Sequence, residues 1–328
     1  MEEKGRIGIP KALMYYRFFP FWRTFFEELG WRVKVSDGLE KTGKIIYFED
    51  SCLPMKLLVT HAVSLKGQVD FLFVPRLVSL HRTFIMCPKF RGAPDILRLA
   101  GEGHLPIIDE TIDLRTGRNA LLQSFLRIGE KLGASNRESK RAFVKGEQSY
   151  AKFKKEWNDR INRLPLKDLF QLDIPTPSQE KRSTLRVAFI GHPYNLFDPD
   201  INKHVLTLAK QLGIEILTPD HFSEKEIDRE LSDLSKEIYW SSGREIVGAL
   251  FHFLKGGVDG VIFLTSFKCG IDALLQEFIK RSLKIREEST IPFLVLSFDE
   301  HTGREGLVTR LEAFRDVIES RKGSQVKV

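Results

Sequence analysis

Two stretches far apart in the chain follow one pattern. Residues 66–75 read KGQVDFLFVP and residues 255–264 read KGGVDGVIFL. Each closes a helix-like segment on a glycine turn, places an aspartate, and runs into a buried strand that opens into a loop carrying a cysteine. Strand-length apolar runs separated by helix-length stretches constrain the fold strongly. Parallel strands cannot be joined by tight turns, so the intervening chain must cross over, usually as a helix. Two explanations of the match stand side by side: duplication of one domain, or the common grammar of βαβ units.

The pattern extends along most of the chain. Strands are expected at 6–10, 31–35, 44–48, 69–74 and 106–108, with helices at 12–29, 56–65 and 88–100. After a helical middle, strands at 186–190, 214–217, 258–263 and 293–297 alternate with helices at 202–212, 245–255, 271–281 and 306–320. The segment DIPTPSQEKRS at 173–183 has the prolines and polar residues of a linker. The expected architecture is α/β: two similar Rossmann- or flavodoxin-like parallel-sheet domains flanking a cleft, with a basic helical segment between them. The domains are 1–115, 116–182 (helical segment and linker) and 183–328. Ligands of such sheets gather at the carboxyl ends of the strands, where the cysteine loops lie.

Composition narrows the class. Apolar residues make up 42% of the 328 and charged residues 29%, which fits a globular protein and not a disordered or collagenous one. The longest apolar runs are strand-sized, far short of the roughly 18 residues of a membrane-spanning helix. The opening MEEKGRIGIPKAL lacks the apolar core of a secretory signal, so a cytoplasmic location is expected. Residues 127–167 hold 12 basic and five acidic side chains, which accounts for the whole net charge of +7. Their helical spacing and interspersed acids suit a solvated helix face, an acidic partner or a phosphate-bearing ligand, and no nucleic-acid recognition motif accompanies them. The aromatic run from Tyr15 to Trp22, continuing to Phe25 and Phe26, is expected to form core or a subunit interface, or else to wall a substrate site.

Candidate chemistry centres on three cysteines: Cys52 in SCLP, Cys87 in MCPK and Cys269 in KCGI. Each lies just before an expected helix, whose first-turn amides stabilise a thiolate. An odd count argues against a disulfide framework. Three thiolates can hold three corners of a [4Fe-4S] cluster, and zinc with a histidine is the other metal reading; by spacing alone three unrelated structural thiols are favoured over either, since no C-x-x-C occurs. Asp50, Lys56 and His61 lie near Cys52 in sequence, and Arg76, His81 and Lys89 near Cys87. Asp299, Glu300 and His301 follow the last strand as a general acid/base group or a simple capped turn. His192-Pro193-Tyr194-Asn195 forms either a ligand-positioning segment or a turn. Neither G-x-G-x-x-G, nor a phosphate-binding G-x-x-x-x-G-K-[ST], nor a G-x-S-x-G elbow is present.

Seven segments in order carry a family resemblance: GIPKALMYYRFFPFWRTFFEELG (8–30), DSCLPMKL (50–57), VDFLFVPRLVSL (69–80), CPKFRGAPD (87–95), GHPYNLFDPDIN (191–202), GVIFLTSFKCGIDAL (260–274) and DEHTGREGLVTRLEAF (299–314). They are similar to acyl-CoA dehydratase activase-related proteins, a family related to 2-hydroxyacyl-CoA dehydratase component D subunits and to double-cubane cluster proteins. The resemblance implies an oxygen-sensitive iron–sulfur protein of anaerobic metabolism with Cys52, Cys87 and Cys269 as cluster ligands. The cofactor is then a [4Fe-4S] cluster, or half of a double-cubane [8Fe-9S] cluster shared with a second chain. It also implies a separate actin-like-fold ATPase activase as electron donor, and a homo- or heterodimer with a related subunit. The substrate would be an acyl-CoA or another small molecule, acted on by a reductase or a dehydratase-like lyase component; no nucleic acid and no membrane partner is implied. In such a dehydratase one electron on the thioester carbonyl gives a ketyl radical that loses an unactivated hydroxyl and returns the electron. His61, Lys89 and His301 are the candidate proton donors or supporting groups. A non-catalytic electron-transfer or assembly subunit, and a zinc-binding or metal-free binding protein, remain the alternatives.

Overall fold

A computed structural model describes residues 4–37, 39, 43–46, 48, 51–100, 106–172, 185–234, 236–285 and 291–325. The chain divides into two units: Met1–Lys154 with Ile238–Ser241, and Lys155–Glu237 with Ser242–Val328. The linker expected at 173–183 falls outside the described residues. No described helix is long and apolar enough to cross a membrane.

The first unit opens with β1 (Arg6–Ile9), α1 (Tyr15–Glu28), β2 (Arg32–Val35) and α2 (Leu53–Ser64). It continues through β3 (Phe71–Phe73), β4 (Arg76–Ser79), α3 (Pro88–Ala100), β5 (Ile107–Ile108) and β6 (Thr111–Asp113). Then come α4 (Ala120–Lys131) and α5 (Asn136–Arg163), the latter running on into the second unit. The sheet order is β2-β1-β3-β5, and its pairings are parallel. β4 and β6 pair in parallel separately. The amides of Val74 and Arg76 donate to Ile108 O and Glu110 O, so β3/β5 and β4/β6 are one run of pairing interrupted at Pro75, which has no N–H to give.

The second unit contains β7 (Leu185–Gly191), the short helices α6 (Pro193–Phe197), α7 (Pro199–Asn202) and α8 (Val205–Gln211), then β8 (Ile214–Leu217). It goes on with α9 (Glu224–Glu230), α10 (Ser241–Lys255), β9 (Gly260–Ser266), α11 (Gly270–Ile285), β10 (Phe293–Phe298) and α12 (Arg304–Gln325). Its sheet is β8-β7-β9-β10, again parallel. Both four-stranded sheets therefore place their first strand between the second and the third, with the fourth outside the third. The chain is a mixed α/β protein built on parallel sheets.

The repeated Val-Asp has the same job in both units. Arg6 N donates to Asp70 Oδ2 at 2.6 Å while Asp70 N donates to Arg6 O at 2.9 Å. Arg186 N donates to Asp259 Oδ2 at 2.7 Å, and Asp259 N to Arg186 O at 2.8 Å. The next residues then face each other across the ladder, Ile7 with Phe71 and Val187 with Gly260.

The aromatic run forms core. On α1, Trp22 and Phe26 meet Phe73 edge-on, and Phe21 and Phe25 meet Phe125 of α4. Phe143 of α5 closes on Phe21, and Gly146 lets the helices approach, since a Cβ there would stand 2.6 Å from the Phe21 ring.

Two sequence expectations fail locally. The strand at 44–48 is absent among described residues 44–46 and 48, because the Ile46 amide is taken by the Thr60 hydroxyl of α2 at 2.8 Å instead of a neighbouring strand. The helix at 202–212 is split: Asn202 turns its side chain onto the backbone, donating to Leu196 O at 2.6 Å and accepting from His204 N at 2.9 Å. Lys203 and His204 consequently adopt left-handed φ values of 52° and 65°.

The basic segment is partly structural. Arg127 and Lys131 both bind the buried Glu110, at 2.6 and 2.9 Å. Buried Arg160 donates to the carbonyls of Leu169 and Gln171. Lys140, Arg141, Lys145 and Lys152 are exposed.

Two stability predictions follow from these placements. Burial pushes the Lys210 ammonium, which donates to Leu164 O, down to about 8. A lysine depressed on folding binds fewer protons than in the unfolded chain, so stability rises with pH between about 8 and the ordinary lysine value near 10.5. Lys210→Met should abolish that rise, with a gain of about 2 kcal/mol over wild type below pH 8 in denaturant titrations across the window. Gly191, at φ 153°, has no room for a side chain: its Cβ would stand 2.6 Å from Leu264 O in the adjacent strand. Gly191→Ala should cost about 2–3 kcal/mol, against about 1 kcal/mol for Gly257→Ala, where only the left-handed backbone opposes the change. Equal losses in the two variants would contradict the close approach.

Candidate metal centre

All three cysteines sit immediately before a helix and are half-buried. Cys52 is the N-cap of α2 in extended conformation, with Pro54 in the first turn, and its carbonyl accepts from Met55 N and Lys56 N at 3.0 and 3.3 Å. Cys87 precedes Pro88 of α3 and accepts from Phe90 N at 3.0 Å. Proline at a helix start costs nothing, because its missing N–H would have had no helical partner. Cys269 precedes α11; its amide donates to Ser266 O and its carbonyl accepts from Ala273 N. Each sulfur is thus carried at the positive end of a helix, where a thiolate is favoured.

Within the first unit the Cys52 and Cys87 loops are tied together. Lys89, two residues after Cys87, donates to Ser51 Oγ at 3.3 Å, next to Cys52. The Cys87 loop is anchored further by Ser241, whose amide donates to Ile85 O and whose hydroxyl donates to Met86 Sδ at 3.1 Å.

The other candidate groups are placed as follows. His61 is fully buried on α2, with Nδ1 2.9 Å from Ser36 Oγ, which also accepts from Lys11 N. Lys56 is buried as well, and Asp50 falls outside the described residues. His81 accepts the Thr83 and Phe84 amides at Nδ1, shaping the turn before Cys87. Arg76 forms a bidentate pair with Asp95, whose carboxyl it holds below the usual range. His301 is exposed in a turn closed by Asp299, whose carboxylate accepts the Thr302 hydroxyl and the His301 amide and is lowered by them.

The second unit assembles a group that sequence alone does not reveal. His192, Cys269 and Asp272 each offer a ligand atom within 4.8 Å of the others. His192 follows β7; Cys269 and Asp272 follow β9, which lies beside β7 in the sheet. His192 and Asp272 are only 2% and 1% exposed. Asp272 Oδ2 accepts from Thr265 Oγ1 at 2.8 Å and Asn195 Nδ2 at 3.3 Å, and Ser266 Oγ fixes Asn195 by donating to its Oδ1. Asp272 Oδ1 is 2.8 Å from His192 Nε2 in an ion-pair contact, and neither of these atoms, nor His192 Nδ1, has a hydrogen-bond partner. The sequence singled out His192 and Cys269 separately. Asp272 was missed, its one signal being the three-residue step from Cys269 that returns a side chain to the same end of a helix.

Such a group can bind a cation, and the sulfurs at three helix starts are chemically suited to metal or electrophile. The family model of the CoA enzyme activase uncharacterised domain (DUF2229) matches residues 6–222, a span that includes Cys52, Cys87 and His192 and stops short of Cys269. No curated protein matches the chain. With two thirds of its length under that one model, the chain belongs to the CoA enzyme activase uncharacterised domain family.

Proposed function

We propose that this chain is an iron–sulfur component of a CoA-enzyme activation system, of the kind related to 2-hydroxyacyl-CoA dehydratase component D subunits and double-cubane cluster proteins. In this reading it accepts low-potential electrons from a separate ATP-dependent activase and passes them to an acyl-CoA or another small molecule. The observation that carries the reading is the placement of all three cysteines directly before helices, half-buried and therefore both shielded and reachable. Family membership supports the partnership with a CoA enzyme system.

Cys52, Cys87 and Cys269 are the proposed thiolate ligands of a [4Fe-4S] cluster, or of half a double-cubane cluster completed by a second chain. When bound, the cluster supplies one-electron transfer and an iron position open to a ligand from outside the chain. The chain's own residues do the rest. First-turn amides of α2, α3 and α11 stabilise the thiolates, and Lys89, through Ser51, holds the Cys87 loop against the Cys52 loop. Lys89, His61 and His301 are the proposed proton donors or supporting groups; His61 is fully buried on α2 and His301 stands exposed in its turn. The exposed lysines and arginine of α5 form a surface suited to an acidic partner or to CoA phosphates.

Iron and acid-labile sulfide per chain on anaerobically purified protein test the reading. About four irons per chain are expected, with loss of the cluster in each of Cys52→Ala, Cys87→Ala and Cys269→Ala. Folded, colourless wild-type protein without iron or sulfide would reject the electron-transfer role.

A further inference from the structure

His192 and Asp272, both buried, and the half-buried Cys269 offer three donor atoms to one small cation. We propose that the cluster-free chain binds a single divalent ion of the zinc or ferrous class there, through His192, Cys269 and Asp272. The fourth position is open. Imidazole, thiolate and carboxylate together are a borderline-soft set typical of zinc and of ferrous iron, and a poor one for calcium or magnesium, which take oxygen.

Three observations converge. The ligand atoms already lie within 4.8 Å of one another, so small side-chain adjustments bring them around one ion. His192 Nε2 and Asp272 Oδ1 meet at 2.8 Å as an ion-pair contact without a hydrogen bond, and His192 Nδ1 also lacks a hydrogen-bond partner, whereas buried polar groups in folded proteins are nearly always hydrogen-bonded. The remaining oxygen of Asp272 is held by Thr265 and Asn195, with Asn195 fixed in turn by Ser266. A carboxylate pinned through one oxygen with the other presented is how supporting hydrogen bonds orient a metal ligand. Charge agrees as well: a neutral imidazole, a thiolate and a carboxylate carry two negative charges, and a divalent ion makes the buried group neutral.

A plain histidine–aspartate pair is the rival explanation. It would satisfy one atom on each residue after a small rotation and would give Cys269 no part. The sulfur therefore decides the matter.

Cys269 is also one of the three proposed cluster ligands, so one sulfur serves two loads and the divalent ion belongs to the chain without its cluster. The proposal does not depend on the electron-transfer reading, because all three donors lie in the second unit and neither Cys52 nor Cys87 takes part.

The test is a Co²⁺ titration of metal-free, full-length protein under anaerobic conditions, followed by absorption. One equivalent should bind with visible bands of four-coordinate cobalt and a near-ultraviolet thiolate-to-cobalt band. Cys52→Ala and Cys87→Ala should leave the spectrum and affinity unchanged. His192→Gln and Asp272→Asn should each weaken binding by at least about 10- to 100-fold, the loss typical of a ligand's supporting partner, and Cys269→Ser should remove the thiolate band. Thermal melts establish that each variant is folded. Should the buried Asp272→Asn chain fail to fold, Cys269→Ser at a half-exposed position still reports on the sulfur. Zn²⁺ should likewise protect Cys269 of the wild-type chain from alkylation while Cys52 and Cys87 continue to react.

Absence of a thiolate band in folded wild-type protein would overturn the proposal, as would loss of that band in Cys52→Ala or Cys87→Ala. Neither result touches the iron and sulfide content of anaerobic wild-type protein. A cluster that forms normally in His192→Gln while cobalt binding fails separates the two.

Discussion

A parallel sheet has no hairpins to set its register, so something at the start of the strands must do it. Here an aspartate does, twice. Asp70 and Asp259 each receive the amide of an arginine in the first strand and return their own amide to that arginine's carbonyl. The exchange locks the first strand to the third at the amino edge of each sheet. A slip by one residue would turn every side chain to the opposite face, burying what should be exposed. With the register fixed at one edge, the chain leaves the other edge at determined positions. The segments carrying Cys87, His192 and Cys269 all depart there after β3/β4, β7 and β9.

That constraint explains why much of the fold could be read from the residues and why some could not. Val-Asp followed by an apolar run marks a buried strand by composition alone, and Pro88–Ala100 and Ile214–Leu217 are found at the limits expected. What failed depended on single side chains choosing backbone partners. Thr60 captured the Ile46 amide where a strand was expected, and Asn202 captured the His204 amide where a helix was expected. No period or propensity encodes such choices, because threonine and asparagine satisfy the backbone in several ways. The pairing of β4 with β6 was invisible for another reason: at four and three residues they are too short to show alternation.

Charge shows the same limit. The basic stretch at 127–167 reads as one electrostatic feature in sequence, yet its members have different fates. Arg127 and Lys131 are spent on the buried Glu110 carboxylate, which each of them pairs with directly. Arg160 is spent on backbone carbonyls of the segment that follows α5, while the lysines on the solvent side of α5 stay available to long-range fields. A net charge of +7 therefore overstates the surface that a partner or a CoA phosphate would meet.

The family match and the donor group intersect in an instructive way. Residues 6–222 end within the second unit, after β7 and β8 but before β9. β7 is central to its sheet and pairs with β9 along five positions, from Val187 with Gly260 to Gly191 with Leu264. His192 inside the matched span and Cys269 and Asp272 outside it are consequently joined by the β7/β9 pairing, where Gly191 lies against the Leu264 carbonyl with no room for a side chain. Sequence distance hides this, since 77 residues separate His192 from Cys269 and only the strand order makes them neighbours. Chemistry that needs both sides of that pairing cannot be a property of the matched segment alone. It belongs to the whole second sheet, so the residues after 222 are as much a part of the site as those before it.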